Sequence, residues 1–204
     1  MTTLATPNPK TAAERASEPA VEVRREPSRF AVGDLVVYAW HGIGLVQSTR
    51  DVGEDGETIT LGFANGLTVL LPLARALEAL RPPSGEAELA DVTRTLRAQG
   101  EATVEPWARR HRQTRDKVAS GQATELAEVV RDGLRREQRR TANGGTPAPS
   151  DRQLYLQARA LLSAEIALCR SIEPAEAEAW IVEQVVLKAA HAAPAASGRG
   201  PGSA

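Results

Sequence analysis

The stretch Thr58-Ile59-Thr60-Leu61-Gly62-Phe63-Ala64-Asn65-Gly66-Leu67-Thr68-Val69-Leu70-Leu71 decides the fold of the first half of the chain. Two apolar, β-branched runs flank an Asn-Gly pair, and both of those residues accept the positive φ of a type I′ turn, so the segment predicts a tight β-hairpin. Upstream, Leu35-Val36-Val37-Tyr38-Ala39-Trp40 and Ile43-Gly44-Leu45-Val46-Gln47-Ser48 are strand-like runs separated by His41-Gly42, and a polar loop from Asp51 to Gly56 leads into the hairpin. Four or five short strands are too few for a large sandwich. A small SH3-like or Tudor-like β-barrel is the economical way to remove their exposed edges.

Downstream the texture changes at Arg81-Pro82-Pro83-Ser84-Gly85, which marks a domain boundary. Leu89, Val92 and Leu96 share one helix face, with Glu86 and Glu88 in its first turn and Gly100 after its end. Pro106 suits the N1 position of a second helix that stops at Ser120-Gly121. Leu126, Val129, Val130 and Leu134 mark a third, ended by Asn143-Gly144-Gly145. Ser150-Asp151-Arg152-Gln153 has capping-box form ahead of Leu154, Ala158, Leu161, Leu162 and Ile166. Pro174 opens the last helix, whose buried face would include Ala177, Trp180, Ile181 and Val185. The expected class is therefore α+β, a small barrel followed by a compact five-helix domain. The expected divisions are a disordered extension over 1–28, the barrel over 29–80, the helical domain over 84–190 and a disordered tail over 191–204.

The whole chain has 204 residues, with 25 Lys and Arg against 26 Asp and Glu, so bulk positive charge cannot drive binding to nucleic acid and a local patch must. A single cysteine excludes an internal disulfide, and three scattered histidines offer no metal-ligand spacing, so no metal or cofactor is expected. No signal-like or membrane-length apolar run occurs, which points to the cytoplasm. No nucleotide-binding Gly loop, nucleophile triad or paired-carboxylate pattern stands out either, so a non-enzymatic role is expected.

Charge segregation is the informative feature. From Pro106 to Arg140 ten basic residues, among them Arg109, Arg110, Arg112 and Arg136, face five acidic ones, whereas from Arg29 to Leu80 three arginines face six acids. A solvated helix face with intrahelical pairs explains such a run as well as a phosphate-binding patch does. Trp107 stands at the start of the basic helix beside Arg109, Arg110 and Arg112. An indole among guanidinium groups suits a wedge against a base step, or it covers the end of the bundle. Trp40 reads as barrel packing or a partner contact, and His41 as a turn residue.

Several motifs in order give the chain a resemblance. Val32-Gly33-Asp34-Leu35-Val36-Val37-Tyr38 with His41-Gly42-Ile43-Gly44 resembles the opening of the CarD/CdnL bacterial transcription regulators, whose barrel is shared with transcription-repair coupling factors. Trp107-Ala108-Arg109-Arg110, Lys117-Val118-Ala119-Ser120-Gly121, Leu126-Ala127-Glu128-Val129-Val130-Arg131-Asp132 and Ala158-Arg159-Ala160-Leu161-Leu162 with Glu165-Ile166-Ala167-Leu168 are similar to that family's helical part. The resemblance implies a regulator that docks on the RNA polymerase β subunit through the barrel, here through Arg50, Val52, Val69, Leu70 and Pro72. It further implies contact with promoter DNA at the upstream edge of the bubble, through the minor groove, by Trp107, Arg109, Arg110, Arg112 and Arg152. The protein would act as a monomer associated with the nucleoid through polymerase. The chain departs from the family where Leu70 replaces an Arg, where the surroundings of Val52 are acidic, where Ala39 replaces a Pro, and where Gly133 replaces an apolar residue. The Asn143 to Pro149 stretch lengthens a loop, and Gly198-Arg199-Gly200-Pro201 faintly resembles an AT-hook as well as a flexible tail. The alternative is an adaptor whose barrel binds another partner and whose helical domain makes no productive DNA contact.

Overall fold

A computed structural model describes residues 30–51, 56–99, 106–145 and 149–191. The expected extension, and the expected tail apart from His191, which ends the last helix, lie outside the described residues together with Val52 and Gly100. The chain runs β1 (Leu35–Tyr38), a 3-10 turn (Ala39–His41), β2 (Gly42–Asp51), β3 (Glu57–Phe63), β4 (Thr68–Pro72), α1 (Leu73–Ala79) and β5 (Leu80–Arg81). Then come α2 (Glu86–Arg97), α3 (Trp107–Ser120), α4 (Ala123–Ala142), α5 (Pro149–Arg170) and α6 (Pro174–His191). Helix α1 and the two-residue β5 are additions to the sequence expectation. The five helices α2–α6 match it.

The strands form one curled antiparallel sheet in the order β4-β3-β2-β1-β5, a half-barrel with β4 and β5 at its edges. The period-2 pattern turns Val46, Ile59, Leu61, Phe63 and Leu71 inward, where they pack with Phe30, Val36, Ala76 and Leu80. The β3–β4 turn differs from the expected type I′. The Gly66 amide donates to the Phe63 carbonyl, and the Phe63 amide donates to Leu67. Gly66 has φ +81° while Asn65 has no positive φ. Ala64 joins the loop, so three residues lie between the hydrogen-bonded pair Phe63 and Leu67, and only the last of them, Gly66, needs a left-handed backbone. Asn65 instead accepts the Leu67 amide with its side chain.

The helical core is separate. Leu89, Val92 and Leu96 of α2 meet Leu126, Val129 and Val130 of α4, Ala158, Leu162 and Ile166 of α5, and Ala177, Ile181 and Val185 of α6. Trp180 lies at the edge of this core, with the Arg170 guanidinium 4.1 Å from its ring centre. Gly133, whose cost in a helix needs a reason, is explained by its neighbour. A Cβ there would stand 2.5 Å from the Tyr155 ring, which packs across α4 at that point.

One buried carboxylate joins the two parts. Glu165 of α5 is 2% exposed; it accepts bonds from Arg81 Nη1 at 2.6 Å, Arg81 Nη2 at 2.8 Å and the Ser84 amide at 2.7 Å. Arg81 also donates to the carbonyl of Gly121, the left-handed residue that ends α3. A side chain at Gly121 would meet the backbone of Ala39 at 2.7 Å, so the end of α3 sits against the 3-10 turn of the barrel.

Candidate nucleic-acid interface

Helix α3 begins right after Pro106, which serves as its N-cap rather than its first residue. The carbonyl of Pro106 accepts the amides of Arg109 and Arg110. Only Val118 of α3 is buried, so apolar packing does not anchor the rest of the helix. Polar contacts do. Lys117 Nζ lies 2.6 Å from Glu128 of α4, and the other end of the helix is tied to Asp151.

Asp151 was expected beside a capping serine. Instead α5 starts at Pro149, so Ser150 falls inside the helix and Asp151 becomes its first-turn acid. That place favours a carboxylate, because the helix N-terminus carries partial positive charge. The Asp151 side chain is 9% exposed. Oδ1 accepts the Trp107 indole N–H at 3.2 Å and faces His111 Nδ1 at 3.3 Å. Oδ2 meets Arg110 Nη2 at 3.4 Å and Arg136 Nη1 at 3.9 Å. One carboxylate thus draws together α3, α4 and α5. Burial and the neighbouring Arg110 lower the Arg136 guanidinium below its ordinary range, with Asp151 opposing the shift; an arginine so placed still keeps its proton at physiological pH.

Residues four apart share a helix face, and the Trp107 ring accordingly stacks on His111, with centroids 5.1 Å apart and planes at 20°. Trp107 remains 50% exposed. The ring is thus anchored on one side and open on the other. Arg109 and Arg112 are exposed and, three apart, lie on the side of α3 away from the Trp107–His111 face. Arg110 turns inward to Asp151. Arg152 is exposed on α5 and pairs with Glu137 of α4 at 3.7 Å. The five residues expected at DNA thus gather at one end of the bundle, around the start of α3 and the start of α5. Asp151 and Arg136 complete that end; the sequence shows Arg136 only as one of the basic run and Asp151 only within a capping pattern, with no role at this site for either.

Of the residues expected at a polymerase, Val52 lies outside the described residues; Val69, Leu70 and Pro72 lie on the edge strand β4 and Arg50 on β2, two strands in. Register pairs Arg50 with Thr58 and Thr58 with Pro72, and pairs Thr60 with Leu70. Arg50, Leu70 and Pro72 are exposed on the outer face, Leu70 at 67%. Val69 points the other way and packs against the barrel core. Among the described residues no group of three or more His, Cys, Asp or Glu is arranged to hold a metal, and no helix is long and apolar enough to cross a membrane.

Comparison with known proteins gives two family matches along the chain. Residues 30–84 match the model of the CarD-like/TRCF RID domain, and residues 91–182 match the model of the CarD C-terminal domain. A relative from Bacillus subtilis (strain 168), named "Putative transcription factor YdeB", is 26% identical over 149 residues, covering 70% of this chain and 94% of its own length.

Proposed function

With both of its folded parts matched in order, the chain belongs to the CarD-like family of transcription factors, and we propose that it bridges the RNA polymerase β subunit and promoter DNA to modulate the open complex. In this reading the outer sheet face at β4 docks on the β subunit, with Arg50, Leu70 and Pro72 in the contact. The bundle end bearing Trp107, Arg109, Arg110, Arg112 and Arg152 meets the minor groove at the upstream edge of the bubble. The ring rests against a base step while the guanidinium groups hold phosphates. A monomer acting in the cytoplasm suffices for this bridge.

The observation that carries the reading is the place of Trp107. A half-exposed indole, on the same first turns of α3 as Arg109, Arg110 and Arg112, stands at the end of α3 opposite the junction with the barrel. Fourteen helical residues separate the two ends, or about 21 Å of rise. A protein held on polymerase by its barrel would present the ring at a fixed distance.

Leu70 supports the second reading, an adaptor with another partner, because an exposed leucine stands where a family arginine is expected. The test is co-sedimentation of the full chain with purified bacterial RNA polymerase and, separately, with its isolated β subunit. Binding to both, weakened by Leu70→Glu, supports the bridge. Absence of binding to either leaves the adaptor reading in its place.

A further inference from the structure

A tryptophan at the first position of a helix, half in solvent, has several rotamers open to it, and a ring that must meet a base step gains from being held in one of them. In this protein the hold is visible. The Trp107 N–H is bonded to Asp151 across 44 residues of sequence, and the ring face lies on His111, itself 3.3 Å from the same carboxylate. Arg110 and Arg136 fix the carboxylate from the other side. A carboxylate otherwise works against a phosphate-binding surface, since it repels the ligand. Beyond its ion pairs with Arg110 and Arg136, this carboxylate takes the indole N–H, a contact that charge pairing does not require.

We propose that Asp151 is the positioning residue of the DNA-contacting indole: it clamps the edge of Trp107 so that one face rests on His111 and the other is presented to the base step. The inference rests on the reading of Trp107 as a DNA contact, and concerns how that contact is oriented. Asp151 itself touches no DNA. Its removal lowers local repulsion yet weakens the complex, because the ring is no longer held.

The test uses the full chain in two arms. In the first, Trp107 is made the sole fluorophore by Trp40→Phe and Trp180→Phe, and its time-resolved anisotropy is recorded. Asp151→Ala should free a nanosecond motion of the ring, and Asp151→Asn, which keeps an acceptor oxygen, should restore much of the hold. A ring equally immobile in Asp151→Ala overturns the proposal. In the second arm, promoter open-complex lifetime is measured with RNA polymerase. With the chain acting to prolong the open complex, Asp151→Ala should shorten that lifetime about three- to tenfold, the scale of one side chain's ordering, and should have no effect in a Trp107→Ala background. A lengthened or unchanged lifetime, or an equal effect without Trp107, overturns the proposal. Where the alanine variant fails to fold by circular dichroism, benzothienylalanine at position 107 removes only the N–H. It should reproduce the shortening, and Asp151→Asn should have no further effect on a chain carrying it; a wild-type lifetime with this residue overturns the proposal. Failure of the underlying reading looks different. Trp107→Ala would then leave the lifetime unchanged while the anisotropy arm still reports the clamp.

Discussion

Replacing Glu165 by glutamine should loosen the barrel from the helical domain without altering the core of either. The carboxylate takes three hydrogen bonds, two from Arg81 and one from the Ser84 amide. Glutamine keeps the volume and one acceptor oxygen, but its NH2 must then face either a guanidinium or an amide donor. Breaking a buried ion pair costs about 3–5 kcal/mol when the remaining charge has no other partner. Here Arg81 is 21% exposed and still donates to the carbonyls of Gly121 and Pro82. The loss should therefore be nearer about 2–3 kcal/mol, the range of a hydrogen bond to a charged group. With a urea slope of about 2 kcal/mol/M, the midpoint should fall by about 1 M. Small-angle scattering should show a broadened distribution of separations between the two parts. A glutamine variant with the wild-type midpoint and the wild-type scattering profile would refute the view that this carboxylate fixes their arrangement.

Other expectations follow from single contacts. Trp107→Ala removes a half-buried ring, about 100 Å² of apolar contact worth at most about 2.5 kcal/mol, so urea unfolding should show a loss near 2 kcal/mol rather than the 3–5 kcal/mol of a core tryptophan. Gly133→Ala gains about 1 kcal/mol of helix propensity but drives a methyl into Tyr155, an overpacking worth about 1–3 kcal/mol; it should destabilise the wild type and stabilise a Tyr155→Ala chain, a reversal that thermal melting can read. Leu70→Glu, on an exposed face, should change stability by less than about 0.5 kcal/mol while reducing retention of the chain on immobilised polymerase. An unchanged retention would move the docking surface elsewhere.

The periodicities carried most of the architecture, since apolar positions at spacing two and at spacing three to four coincide with the two cores. What they could not carry was anything set by partners distant in sequence. The Asn65-Gly66 signal located the hairpin, but whether two or three residues form its loop depends on where Phe63 and Leu67 pair. Leu73-Ala74-Arg75-Ala76-Leu77-Glu78-Ala79 has helical composition, yet seven residues following a strand give too short a period to read. Ser150 and Gln153 have capping spacing, and that local pattern concealed the role of Asp151, whose partners come from α3 and α4. Glu165 sits beside the apolar stripe of α5, and nothing near it announces that Arg81, 84 residues earlier, will bury it. At the candidate site the sequence supplied Trp107 and the basic run. The carboxylate that organises them required the fold.

The most direct measurement is the lifetime of promoter open complexes formed by RNA polymerase with the full chain, compared with Trp107→Ala, after challenge with a competitor. The bridging account predicts that the wild-type chain changes the lifetime, that Trp107→Ala abolishes most of that change while remaining bound to polymerase, and that Arg109→Glu does the same. A Trp107→Ala chain that binds polymerase and alters the lifetime as fully as the wild type would contradict it.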